Sequence, residues 1–196
     1  MKNKILLFIL LTCAIIKSNF LMAQDFRGTH FRNGDLIPNI ENYQEWKSAG
    51  ENKQPAWCYY DYDPANGEKY GKLYNWYAVT DPRGLCPLGW HVPSDAEWST
   101  LISYLGGELA ADIKMRNIYG WTENYGDNSS GYAGLPGGVC GSHGSCGHVG
   151  YYGYWWSSTE YDSGVSWHRF LYYKNGFGTL SKNVNGNGYS VRCLKD

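Results

Sequence analysis

Gly89-Trp90-His91-Val92-Pro93-Ser94-Asp95-Ala96-Glu97-Trp98-Ser99-Thr100-Leu101-Ile102-Ser103-Tyr104-Leu105-Gly106-Gly107 carries a helix start signal, an apolar face and a stop signal that agree with one another. Ser94 stands three residues before Glu97, the spacing of a capping box: the Ser94 hydroxyl accepts from the Glu97 backbone N–H while the Glu97 carboxylate reaches back. Asp95 and Glu97 place negative charge where the helix dipole favours it. Trp98, Leu101, Ile102 and Leu105 fall at i, i+3, i+4 and i+7, one stripe of a 3.6-residue helix, and Gly106-Gly107 ends it. Trp90 and Val92, ahead of Pro93, read as a short strand feeding that helix, and the rest of the domain is expected to pack on the Trp98 stripe.

Around this helix the pattern is that of an α+β domain. Glu108 to Met115 reads as a second, shorter helix with Leu109, Ala110, Ile113 and Met115 inward. Upstream, the aromatic run from Pro55 to Asp63 is strand-like and ends in a turn at Asp63-Pro64-Ala65-Asn66-Gly67. Leu73 to Val79 fits a strand or a short helix. Downstream, residues 117–153 are dense in Gly, Asn and Ser, with single rings at Trp121, Tyr125, Tyr132, Tyr151 and Tyr152. So long a loop region inside a domain is often functional. Three strand-like runs follow, at 154–159, 167–173 and 189–194, and suggest an antiparallel meander.

Residues 1–23 hold Lys2 and Lys4, an apolar run over 5–16, and Leu21-Met22-Ala23, the layout of a secretory signal cleaved after Ala23. The run is short for a bilayer span. Lipidation at Cys13 is the rival reading, weakened by Thr12 just before it. Residues 24–54 are polar with no sustained period, though Tyr43, Trp46 and a few others could dock on the domain, and read as a leader strand or two plus linker, leaving 55–196 as the domain. Of 17 basic residues three lie in 1–23, so 14 remain against 18 acidic ones, which argues against a nucleic-acid partner. Rings make up 17% of the chain, including 9 Trp and 18 Tyr, enough to fill a loop-rich core or to line a binding surface.

Export permits disulfides. Cys140 and Cys146 bracket a short flexible loop and are the first choice for a local bridge; Cys86 and Cys193 would then form a long-range pair, with Cys58 left over. Spacing alone leaves other pairings open.

Four ordered stretches, Tyr70-Gly71-Lys72-Leu73-Tyr74-Asn75-Trp76-Tyr77-Ala78, Cys86-Pro87-Leu88-Gly89-Trp90-His91-Val92-Pro93-Ser94-Asp95-Ala96-Glu97-Trp98, Gly153-Tyr154-Trp155-Trp156-Ser157-Ser158-Thr159 and Ser190-Val191-Arg192-Cys193, together resemble the Fibrobacter succinogenes major paralogous domain. That family consists of exported proteins abundant in Bacteroidetes and Fibrobacteres, and the resemblance runs from about Trp57 to Asp196. The same stretches more distantly resemble the C-type-lectin-like fold shared with formylglycine-generating, sulfatase-modifying proteins. His91-Val92-Pro93-Ser94-Asp95-Ala96-Glu97-Trp98 looks like that family's Arg-Leu-Pro-Thr-Glu-Ala-Glu-Trp helix start, and Gly188-Tyr189-Ser190-Val191-Arg192 like its closing Gly-Phe-Arg segment. A Cys86–Cys193 bridge would resemble the long disulfide of C-type lectins. The sequence lacks a counterpart of the copper-binding cysteine pair, so the oxidase chemistry does not carry over. It also lacks a Glu-Pro-Asn or Trp-Asn-Asp triplet, so calcium-dependent sugar binding does not carry over either.

Other chemistry is weaker. His143 and His148 with Cys140 and Cys146 could sketch a zinc site, but the spacing fits no metal motif well and a disulfide is the better reading. Asp61, Asp63, Asn66 and Glu68 have the wrong spacing for a calcium loop. His91, Ser94 and Asp95 invite a hydrolase reading, though Ser94 is used by the cap. Glu160 with Asp162, or Asp61 with Asp63, could act as paired acids. The expectation is therefore a recognition module that binds glycan or protein, with no cofactor, metal or catalytic residues. The candidate contacts are Trp121, Tyr125, His143, His148, Tyr161, Asp162, Trp167, Asn185 and Asn187, with Asn183 beside them; the competing account gives these Asn residues only turn geometry. An envelope assembly protein without a small ligand and a divergent enzyme of the sulfatase-modifying fold are the alternatives.

Overall fold

The computed structural model describes residues 24–123, 126–174 and 180–196. The expected signal segment, with Cys13, and the candidate Tyr125 lie outside them. The chain runs through β1 (Gln24–Asp25), α1 (Tyr43–Glu51), β2 (Trp57–Cys58), a 3-10 turn (Tyr60–Tyr62), α2 (Pro64–Tyr70), β3 (Leu73–Tyr74), α3 (Trp76–Val79) and β4 (Trp90–His91). It continues through α4 (Asp95–Tyr104), α5 (Glu108–Met115), β5 (Val139–Cys140), β6 (Cys146–Gly147), β7 (Tyr152–Asp162), β8 (Val165–Tyr172), β9 (Leu180–Val184) and β10 (Arg192–Lys195). Helices are mixed with small antiparallel sheets, ordered β1-β10-β4, β2-β3, β5-β6 and β7-β8-β9. The architecture is α+β. Among the described residues no helix is long and apolar enough to cross a membrane.

Helix α4 forms as its local signals dictate. Both halves of the Ser94–Glu97 capping box are present, and Trp98, Leu101, Ile102 and Leu105 are buried. They pack with Ala111, Met115, Trp121, Tyr132, Trp155 and Leu171 in one core cluster. A second cluster contains Trp57, Tyr74, Cys86, Val92, Trp156, Tyr189, Val191 and Cys193. The neighbours Trp155 and Trp156 point to opposite faces of β7, as the pleat requires, so this one strand anchors both clusters. The Trp156 indole donates to the Tyr74 carbonyl at 2.8 Å. An ion pair of 2.6 Å between Arg169 and Asp95 fastens the start of α4 to β8.

Among the described residues two bridges are closed, Cys86–Cys193 and Cys140–Cys146, and Cys58 is a buried free thiol whose pKa is pushed up by desolvation.

Several expectations need correction. Residues 24–54 hold more than a leader strand and linker: β1 pairs with β10 and Trp46 docks and is fully buried, but Phe31 and Ile37 also enter the core and a helix spans Tyr43–Glu51. Helix α1 starts at Asn42, whose side chain accepts from the Glu45 N–H; it buries only Trp46 and Ala49, too few positions for a visible period. Asp63-Pro64 opens α2 instead of a turn, with Asp63 as N-cap and Pro64 in the first helical turn, where a missing N–H costs nothing. In α5 the inward residues are Ala111, Asp112 and Met115, while Leu109 is exposed. The meander exists, but its third strand is β9; β10 instead lies between β1 and β4, where Arg192, Cys193 and Leu194 are buried.

Candidate binding cleft

The β7-β8-β9 sheet turns one face towards α4. On its other face the strands contribute Tyr152, Tyr154 and Trp156 from β7, His168, Phe170 and Tyr172 from β8, and Ser181 and Asn183 from β9, each set at the two-residue period of a strand. The β5–β6 hairpin closes over this face. Its loop is tied by the Cys140–Cys146 bridge, by the Ser142 N–H donating to Asn187 Oδ1 at 2.8 Å, and by the Tyr62 hydroxyl donating to the Gly144 carbonyl at 2.6 Å. Gly144 has φ +95°, and a Cβ there would collide with the Tyr43 carbonyl, so the loop seats only with glycine at this position.

Between sheet and loop lies a cleft of about 460 Å³, within the usual range of ligand pockets. No Asp, Glu, Lys or Arg occurs among its described lining residues. The rings form a ladder. Tyr152 stacks on Tyr172 with centroids 4.5 Å apart and on Tyr154 at 5.5 Å, and Tyr154 stacks on Tyr189 at 4.9 Å. Because their faces are taken up by one another, these rings offer edges and phenolic oxygens to a ligand. Burial raises the pKa of Tyr154 and pushes that of Tyr189 up to about 12, so both stay protonated hydroxyls. His168 is 2% exposed, and desolvation, aided by the adjacent Arg169 charge, lowers its pKa to about 3. It is therefore a neutral imidazole, and its Nδ1 has no hydrogen-bond partner. His148, in the left-handed backbone region at φ 68°, is exposed and hydrogen-bonded through Nδ1 to the Tyr154 hydroxyl at 3.1 Å.

The expected contacts within the described residues divide among four places. His143 and His148 are exposed at the cleft, and Asn187 is a buried part of its wall, its amide donating to the Tyr189 hydroxyl at 3.1 Å. Asn183 also lines it. Asn185 is buried and belongs to a neighbouring hollow of about 290 Å³ that shares Ser142, His143 and Val184 with the cleft. Tyr161, Asp162 and Trp167 sit at the far end of the β7–β8 hairpin. Trp167 directly precedes His168 and so points to the opposite face; it meets Tyr161 edge-on at 4.8 Å, under Lys182. Trp121 is core, its indole donating to the Gly134 carbonyl at 3.2 Å. Tyr152, Tyr154, Tyr189 and His168 were not among the expected contacts, although the alternation in 152–156 and 168–172 marks them as one strand face each.

The weaker chemical readings resolve into structural roles. Cys140 and Cys146 are bonded to each other, and among the described residues no group of three or more His, Cys, Asp or Glu could hold a metal ion. Asp63 caps α2, Glu160 accepts from the Gly164 N–H, and Asp162 accepts from the Ser163 N–H. His91 contacts two carboxylates, Glu97 at 2.9 Å through Nε2 and Asp196 at 2.6 Å through Nδ1, which leaves no ring nitrogen to take a proton from Ser94.

That three-residue cluster carries a pH prediction. Desolvation opposes the His91 charge, but hydrogen bonds to Asp196 and Glu97 outweigh it and raise the pKa above the ordinary 6.5. The Glu97 carboxyl, also desolvated, is held below 4.5 by the Ser94 hydrogen bonds and by His91. A raised histidine stabilises the fold fully below its unfolded pKa and loses that contribution as pH rises through the folded value; a lowered carboxyl stabilises above its unfolded pKa and loses out as pH falls. Urea denaturation is thus expected to show this cluster's largest contribution between about pH 4.5 and 6.5, with a decline towards pH 8 that His91→Phe abolishes. An unchanged profile in the variant would refute the assignment.

Fold and cleft define a disulfide-stapled α+β domain that encloses an aromatic groove whose described lining residues include no Asp, Glu, Lys or Arg. The chain belongs to the Fibrobacter succinogenes major domain family, whose model matches residues 16–195. The match covers residues 24–54 as well, in keeping with the burial of Phe31, Ile37, Trp46 and Ala49. No curated protein and no solved structure matches the chain.

Proposed function

We propose that this domain is an exported recognition module, of C-type-lectin-like architecture, that binds a glycan in the cleft between the β7-β8-β9 sheet and the β5–β6 loop. The observation that carries the reading is the cleft's composition: a row of tyrosine hydroxyls with Ser, Asn and His groups, dense in neutral donors and acceptors, on a rigid floor. Such a lining complements a polyol, whose hydroxyls each donate and accept. The capped helix, the pairing of β1 with β10 and the long Cys86–Cys193 bridge support the architectural part. The two closed bridges support export. Of the paired acids, Asp63, Glu160 and Asp162 are engaged in a cap and in turns, which favours binding over turnover.

An immobilised-glycan screen tests the proposal. The folded protein is expected to retain a subset of glycans, and the double variant Tyr152→Ala with Asn183→Ala to lose them by about ten-fold or more. Tyr161→Ala with Trp167→Ala, on the opposite face, is expected to bind as the wild type does. Retention of no glycan by folded protein, or equal loss in both variants, would overturn the assignment.

A further inference from the structure

We infer that the ligand of this cleft is an uncharged saccharide, one of whose hydroxyls pairs with the His168 imidazole. The inference rests on the glycan reading above and narrows it. Two independent observations support it: the absence of Asp, Glu, Lys and Arg from the described lining, and the buried, unpartnered Nδ1 of His168 in the cleft wall. A uronate or sulfate entering here would lose water without gaining a fixed counter-charge, and an ammonium sugar would fare no better. A neutral imidazole holds one donor and one acceptor nitrogen. The unpartnered Nδ1 is a donor in one tautomer and an acceptor in the other; a hydroxyl can meet either, and a neutral ring adds no charge that would favour a carboxylate or an ammonium over it. The ring is held by its neighbours, with Tyr189 at 4.8 Å, Tyr154 at 5.9 Å and Trp156 at 6.0 Å, so its nitrogens are already oriented before a ligand arrives.

The test uses matched probes: gluco-, galacto- and manno-tetrasaccharides, each paired with the uronate of the same backbone, titrated calorimetrically into the wild-type protein at pH 8, above the ordinary histidine range. The neutral member of at least one pair is expected to bind about ten-fold or more tightly than its uronate. A uronate that binds as well as its neutral counterpart overturns the inference while leaving the glycan reading intact. Failure of every probe, neutral and acidic, with folded protein overturns both. His168→Phe, which removes both nitrogens but keeps a ring, is expected to bind at least about ten-fold more weakly, with a melting temperature no lower than the wild type because no orphaned nitrogen remains. His168→Gln, which keeps a donor and an acceptor, is expected to restore part of the affinity. Wild-type affinity in His168→Phe contradicts the role given to His168.

Discussion

Replacing Cys86 and Cys193 together by serine is expected to cost about 4–5 kcal/mol, the largest effect of any change considered for this domain. The two cysteines are 107 residues apart, and closing a loop of roughly 100 residues removes unfolded-chain entropy worth up to about 4.7 kcal/mol. Total stabilities of single domains are about 5–15 kcal/mol, so the variant stands near the edge of folding. The bridge also joins the loop before β4 to β10, the central strand of the β1-β10-β4 sheet, and both sulfurs are packed in the core with Val92, Trp156 and Val191. In a thermal melt the variant should fall by about 10–20 °C. Opening Cys140–Cys146, only six residues apart, should cost less in stability but loosen the loop that closes the cleft. A Cys86/Cys193 variant that melts within a few degrees of wild type would show that packing alone holds the sheet.

The second large effect is expected at Asp112→Ala, about 3–5 kcal/mol. Asp112 is 4% exposed and its partner Arg116 is fully buried; they meet at 3.1 Å, one helical turn apart, where α5 ends. Asp112 also accepts from the Tyr172 N–H at 3.3 Å, and Arg116 donates to the Tyr173 carbonyl at 2.8 Å, so the pair locks α5 to the end of β8. Removing the carboxylate leaves a guanidinium in the interior without its counter-charge. Replacing both residues, Asp112→Ala with Arg116→Met, should cost less than the two single changes added together, because no charge is then stranded. Strict additivity in a urea-denaturation cycle, or a single-variant cost below about 1 kcal/mol, would mean that the pair is not coupled in the fold.

What could be read from the chain and what could not follows from the range of the interactions involved. Helix α4 was readable in full because its cap, its stripe and its stop all act within one helix. The Asp112–Arg116 pair hides in an i, i+4 spacing that equally describes a solvated surface pair, and only burial gives it weight. Residues 24–54 looked unpatterned because β1 is only two residues long, α1 buries only Trp46 and Ala49, and both take their places from distant partners, Cys193 and Arg192 for β1 and Cys58, Leu73 and Cys140 around Trp46. The fate of 189–194 turned on the same question: a run buried at nearly every position suits the middle of a core sheet better than the edge of a meander.

The cleft was only half visible for a related reason. His143, His148 and Asn187 could be singled out as polar residues in a glycine-rich setting. Tyr152, Tyr154 and His168 join them only through the antiparallel register that sets Tyr152 opposite Tyr172 and Trp156 opposite His168, and Tyr189 through its bridge to Tyr74 and that of Ser190 to Trp155. Rings that composition allowed to line a binding surface do line the cleft, but Tyr152, Tyr154, Tyr172 and Tyr189 stack on one another. Conversely, Tyr161 and Trp167 have the composition of a binding pair but are carried by the pleat to the other face.

The central claim is most directly tested by NMR titration of the folded, isotope-labelled domain with the tightest neutral tetrasaccharide, following ring and side-chain amide signals. Saturable shifts are expected at His168, Tyr152, Tyr154, Asn183 and Asn187, with Tyr161 and Trp167 unmoved. Saturable shifts at Tyr161 and Trp167 with a silent cleft would contradict it.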